Sequence, residues 1–192
     1  MAEIGLRRVE DLSGAQKVGA AFDVWLAMRD NPGLTRELPL TDINYKSPLH
    51  ALHRVRELGR TAAHPSLSAF AINDGEQFIG MASRKILRPN PDVLGTPTLS
   101  TYRTALEIAY WHREARTVAA AVRIGTQIVG QLLEVNELDV RDLDFAPWMV
   151  TLPDDGVKAA VCEAVGFEPI GQMQKYDVGD GVIEPRQLWA LK

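Results

Sequence analysis

Residues 105–133 read ALEIAYWHREARTVAAAVRIGTQIVGQLL, and the spacing of their apolar residues changes midway. Ala105 to His112 is rich in aliphatic, aromatic and β-branched residues, the pattern of a buried strand. From about Thr117 the apolar positions are Val118, Ala121, Val122, Ile128, Val129, Leu132 and Leu133, which is helical spacing. A short turn, Arg113 to Arg116, joins the two. The first N–H groups of a helix have no acceptor inside it, and the helix dipole favours an anion there. A strand, a tight turn and a helix N-terminus together are therefore suited to a phosphorylated ligand.

A second unit follows. Phe145 to Val150 reads as a strand, Pro153 and Asp154 break it, and Val157 to Val165 fits a short amphipathic helix. Gly166 can take the left-handed conformation that closes a helix, and Phe167 packs back. Upstream, Ile4–Val9 reads as a strand, and Ser13 caps a helix carrying Val18, Ala21, Phe22, Trp25 and Leu26. That helix ends at Asn31-Pro32-Gly33. A second helix spans Pro48–Arg60, and strands at Ser68–Asn73 and Gln77–Leu87 flank an Asp74-Gly75 turn. A proline-rich loop covers residues 88–104. The tail offers strands near Gln172–Val178 and Gln187–Leu191 around Gly179-Asp180-Gly181.

Bulk properties narrow the classes. A chain of 192 residues with 46% apolar and 24% charged content is expected to form one domain, 1–192, with its own core. The net charge of −4 argues against nucleic acid or an acidic membrane as partner. The single cysteine, Cys162, excludes an internal disulfide and fits the cytoplasm. The N-terminal segment has no apolar signal core, and no run reads as a membrane span.

The order strand, phosphate-loop helix, strand, short helix, Gly166-Phe167, strand resembles the GNAT superfamily of N-acetyltransferases. The Glu-Ile-Ala-Tyr-Trp strand (107–111) is similar in particular to the branch that acetylates N-terminal amines of ribosomal proteins. The resemblance covers most of residues 68–192. It implies an α/β (α+β) fold with a central mixed, mostly antiparallel sheet and helices on both faces. It also implies acetyl-CoA as cosubstrate. The family's loop reads Arg or Gln, two residues, Gly, one residue, then Gly or Ala. Laid on this chain it puts the arginine at Arg116, the first glycine at Ala119 and the last position at Ala121. Pyrophosphate contacts are then implied for Arg116, Thr117, Val118, Ala119, Ala120 and Ala121, and pantetheine contacts for Tyr110, Trp111 and His112. A left-handed residue at Ala119 would cost about 1–2 kcal/mol, whereas helical alanines would cost almost nothing.

Attack of an amine on a thioester needs a base and an acid for the departing thiolate. By the resemblance, Glu107 is the base. Cys162 stands where many relatives carry the acidic tyrosine, though a lone cysteine on an apolar helix face also serves as a small hydrophobe. Tyr110 is the alternative acid. Asp155 replaces the asparagine that often opens the short helix; it is a competent N-cap and, by the resemblance, a cofactor contact. His50 and His53 are three apart on one helix without a third ligand, so no metal is expected. Two readings stay open. One is an acetyl-CoA-dependent N-acetyltransferase acting on a primary amine, whether a small molecule or a protein N-terminus. The other is a GNAT-fold acyl-CoA-binding or degenerate non-catalytic protein that works through a partner. A homodimer is expected from the apolar tail, which carries Met173, Tyr176, Val182, Ile183, Leu188 and Trp189.

Overall fold

A computed structural model describes residues 4–31, 47–61, 67–87, 103–111, 117–140, 147–179 and 182–191. Among these residues, seven strands form one sheet in the order β1-β2-β3-β4-β5-β7-β6. They are β1 (Ile4–Arg8), β2 (Leu67–Asp74), β3 (Gln77–Leu87), β4 (Arg103–Tyr110), β5 (Pro147–Thr151), β6 (Phe167–Gly179) and β7 (Val182–Leu191). Among the described strands only the β4–β5 pair is parallel, so the sheet is mixed and mostly antiparallel. The helices are α1 (Gly14–Asp30), α2 (Pro48–Thr61), α3 (Val118–Val140) and α4 (Gly156–Val165).

Strand alternation sends successive side chains to opposite layers. Ala69 and Ala71 of β2 and Ala109 of β4 pack with Ala21, Val24 and Met28 of α1 and Ala51 and Val55 of α2. Phe70, Ile72, Leu106 and Ile108 pack on the other face with Ile124, Ile128 and Leu132 of α3 and Val161 and Cys162 of α4. Helices therefore lie on both faces. A register shift between β2 and β3 at Ile72/Asn73 puts Phe78 and Met81, three residues apart, into the same layer.

The expected helix boundaries hold to within one or two residues. Ser13 forms a capping box with Gln16, and Gly166 closes α4 with φ +96°. Two expectations need correction, and the buried face of α1 is a feature that the sequence reading does not specify. In α1 the buried stripe is Ala20, Ala21, Val24 and Met28, while Val18 and Phe22 are 49% and 47% exposed. Apolar residues fall on more than one face of this helix, and the close approach to Ala69 and Ala71 selects its small side chains. In the hairpin, Asp74 pairs with Gln77, so the loop is Gly75–Glu76 rather than Asp74–Gly75, and Gly75 supplies the positive φ of +60°. Finally, Val118–Val135 of α3 is long and apolar enough to cross a membrane by length and composition. Here Ile124, Ile128, Val129 and Leu132 of that helix are buried against the sheet.

Candidate active site

The parallel ladder between β4 and β5 has only three residue pairs: Thr104–Pro147, Ala105–Trp148 and Leu106–Met149. β4 runs on through Glu107–Tyr110 and β5 through Val150–Thr151 with no further pairing between them. β4 stays bonded to β3 along this stretch, and the Trp111 amide donates to the Ile79 carbonyl at 2.8 Å. By the two-residue period, Glu107, Ala109 and Trp111 turn their main-chain groups toward β3, and Ile108 and Tyr110 turn theirs toward β5. The main chain facing the end of the ladder thus belongs to Ile108 and Tyr110. Ile108 was not expected there, and the Trp111 amide is already used. His112 and Arg116 lie outside the described residues.

The first turn of α3 stands just beyond this strand end. Helix from Val118 onward puts Ala119, Ala120 and Ala121 in ordinary helical conformation, so the missing glycine imposes no left-handed strain. Thr117 acts as the cap: its Oγ1 accepts from the Ala120 amide at 3.3 Å, and its carbonyl accepts from the Ala121 amide at 2.9 Å. The amides of Ala120 and Ala121 are therefore engaged within the turn. Those of Val118 and Ala119 have no helical acceptor, and Val118 is 64% exposed.

The catalytic candidates do not converge, because strand alternation separates them. Glu107 faces the α1–α2 side. It lies between Ala109, under those helices, and Ala105, which belongs to a separate patch with Trp148, Val150 and Leu188. Directly across the ladder, Ser83 Oγ donates to Glu107 Oε2 at 3.0 Å. Glu107 is only partly buried there. Tyr110 faces the α3–α4 side, where its hydroxyl donates to the Ala121 carbonyl at 2.6 Å. Gly125 makes that contact possible: a Cβ on it would stand 2.7 Å from the Tyr110 oxygen and 2.6 Å from Val161 Cγ2. Tyr110 thus straps the first turn of α3 to β4.

Cys162 is on the Tyr110 side as well, 0% exposed within the apolar layer. Burial, reinforced by nearby Asp155, pushes its thiol up to about 12. Asp155 caps α4, its Oδ1 accepting from the Lys158 amide at 2.9 Å, and its Oδ2 lies 3.5 Å from the Lys158 ammonium, which is itself buried. Trp111 packs its ring against Phe78, with centroids 5.4 Å apart. His53 pairs with Glu57 at 3.7 Å, and His50 Nδ1 lies 3.2 Å from Ser47 Oγ. Among the described residues no group of three or more His, Cys, Asp or Glu could hold a metal.

The sheet and its helices have the fold of the GNAT acetyltransferases, as superposition on solved structures shows. Solved structures of that fold align with nearly the whole chain. RimJ of Mycobacterium smegmatis, in complex with CoA-disulfide, superposes with a TM-score of 0.66 at 18% identity, over 98% of this chain and 81% of that one. RimL, the ribosomal L7/L12 α-N-protein acetyltransferase, in complex with coenzyme A, gives 0.65 at 14% identity over 99% and 94%. The ribosomal-protein-S5-alanine acetyltransferase of Vibrio fischeri gives 0.60 at 16% over 98% and 92%. These neighbours come from the branch that the Glu107–Trp111 strand resembles. No family model matches the sequence, and no curated protein matches it at a significant level.

Proposed function

We propose that this protein is an N-acetyltransferase that moves an acetyl group from acetyl-CoA to a primary amine by direct attack within a ternary complex. The observation that carries the proposal is the short β4–β5 ladder, which ends beside the open first-turn amides of α3. Those amides, at Val118 and Ala119, would take the pyrophosphate together with Arg116. The main chain of Ile108 and Tyr110 would take the pantetheine arm. When bound, the cosubstrate supplies an electrophilic thioester carbonyl. Glu107, on the α1–α2 side of the same strand, would accept the proton of the attacking amine. Tyr110 and Asp155 would hold α3 and α4 in place, and Cys162 would fill the layer between them. The acceptor would be a small-molecule amine or a protein N-terminus, met in the reducing cytoplasm that a single buried cysteine suits.

One observation favours the non-catalytic alternative. Neither proposed acid shares a face with Glu107, so proton delivery to the leaving thiolate has no assigned donor among the described residues.

Thermal denaturation with coenzyme A and with acetyl-CoA tests binding. A ligand at 100 times its Kd should stabilise the fold by about 2.7 kcal/mol. Arg116→Ala should weaken binding by about 1–3 kcal/mol, the scale of a charge-assisted hydrogen bond. Absence of any stabilisation in the parent protein would make the elbow purely structural. Coenzyme binding without turnover of any primary amine would favour the alternative.

A further inference from the structure

A groove of about 590 Å³ opens between α1 and the end of the sheet where β1, β2 and β3 meet. It falls within the ~300–1,000 Å³ range of small-molecule sites, and none of its lining residues belongs to the candidate active site. Glycines line the space. Gly5 lies on the floor strand and Gly19 on the roof helix, and a Cβ on either would meet no atom within 4 Å. Gly19 costs the middle of α1 about 1 kcal/mol relative to alanine, and no close packing requires it.

The groove also has a polar anchor. Asp23 lies one helical turn beyond Gly19 and lines the same wall. Its side chain is half-buried, burial holds its carboxyl above the usual 3.8, and no hydrogen bond or ion pair reaches it among the described residues. A half-buried carboxylate without a partner is unfavourable, and a cationic donor would relieve it. The other two charged residues lining the groove, Arg7 and Glu76, are exposed and of opposite sign, so Asp23 sets the balance. Leu12, Ala20 and Phe78 supply buried apolar wall.

We propose that this groove is a second ligand site, selective for a small organic ammonium ion whose apolar body lies on Leu12, Ala20 and Phe78 and whose charged head meets Asp23. None of the lining residues lies on β4, β5 or α3, so the proposal stands whether or not the chain transfers acetyl groups.

The test is amide NMR of the whole chain titrated with n-hexylammonium, with 1-hexanol as the uncharged match. Hexylammonium should shift the Gly5, Gly19 and Asp23 amides saturably. The alcohol and the Asp23→Asn variant should each bind at least ~10-fold more weakly, the scale of losing one charge-assisted contact. Gly19→Leu should abolish the shifts by filling the groove. If that variant does not fold, the near-isosteric Asp23→Asn still decides. Glu107→Gln should leave these shifts unchanged. Saturable shifts confined to the neighbourhood of Glu107, or equal affinity in Asp23→Asn, would overturn the proposal. So would the absence of any saturable shift.

Discussion

Glu107 and Cys162 show how much a residue's role depends on what surrounds it. Glu107 is held by a hydroxyl on the neighbouring strand and keeps an open side between two apolar patches. If Glu107 is the base of the proposed transfer, Glu107→Gln should lower the acetylation rate at neutral pH by ~10²–10⁴-fold with little change in coenzyme affinity, since a general base acts in the transition state. Steady-state kinetics beside a coenzyme titration separates the two effects. Cys162 has no open side. Cys162→Ser places a hydroxyl in an apolar layer at a cost of about 1–3 kcal/mol, and Cys162→Ala leaves a small cavity. If the residue only packs, both variants retain activity at a temperature where they remain folded. The thiol also gives a pH signature. Its folded value of about 12 lies above the ordinary 9.0, so folding favours the protonated form. The associated stability is complete below pH 9 and is lost as pH rises toward 12. Alkaline unfolding curves for Cys162→Ala should lack that component, and identical curves would refute the assignment.

At the scale of elements, the placement of α3 decides whether its first turn can serve an anion. Three contacts fix it: Tyr110 to the Ala121 carbonyl, Gly125 against both Tyr110 and Val161, and Gln131 to the Ile4 carbonyl. Gly125→Ala is the informative change. Alanine favours a helix by about 1 kcal/mol, but overpacking here should cost about 1–3 kcal/mol, so the net effect is destabilising. Removing the Tyr110 oxygen should relieve part of the clash. The Gly125→Ala, Tyr110→Phe double variant should therefore be more stable than the sum of its single variants, measured as a urea double-mutant cycle. Strict additivity would mean that the tyrosine is not what limits the approach. The sequence marked Tyr110 on its strand, but only the structure shows that Gly125 meets it.

Across the whole molecule, the strand order alters the case for a dimer. β7 is an interior strand, and Leu188 and Trp189 close the core of the single chain, with the Trp189 indole donating to Thr151 Oγ1 at 3.0 Å. Those two side chains therefore add no interface, contrary to the expectation that the apolar tail exceeds what its strands need. The side chains of Met173, Tyr176, Val182 and Ile183 lie outside the described residues. β6 remains as a 13-residue edge strand, and such an edge invites pairing with a second copy. Light scattering at micromolar concentration should give twice the 21.2 kDa of the chain, and a mass near 21.2 kDa would exclude the pairing.

The sequence by itself determined the succession of elements, because apolar period, caps and turn residues are local signals: the strand into α3, the Ser13 capping box and the Gly166 stop all read directly. It also located the strand-to-helix junction into α3 where coenzyme binding is proposed, since two periods meet there. Only the tertiary structure decided which residues face each other. The early end of the β4–β5 ladder depends on how two distant strands diverge, and a two-residue period does not encode that divergence. The same period that made β4 recognisable sends Glu107 and Tyr110 to opposite layers. Whether Cys162 and Asp155 meet a ligand or the core depends on what the sheet brings over α4. The Asp23 groove was equally invisible in sequence, because its lining comes from α1, β1 and the β2–β3 hairpin, which only folding brings together.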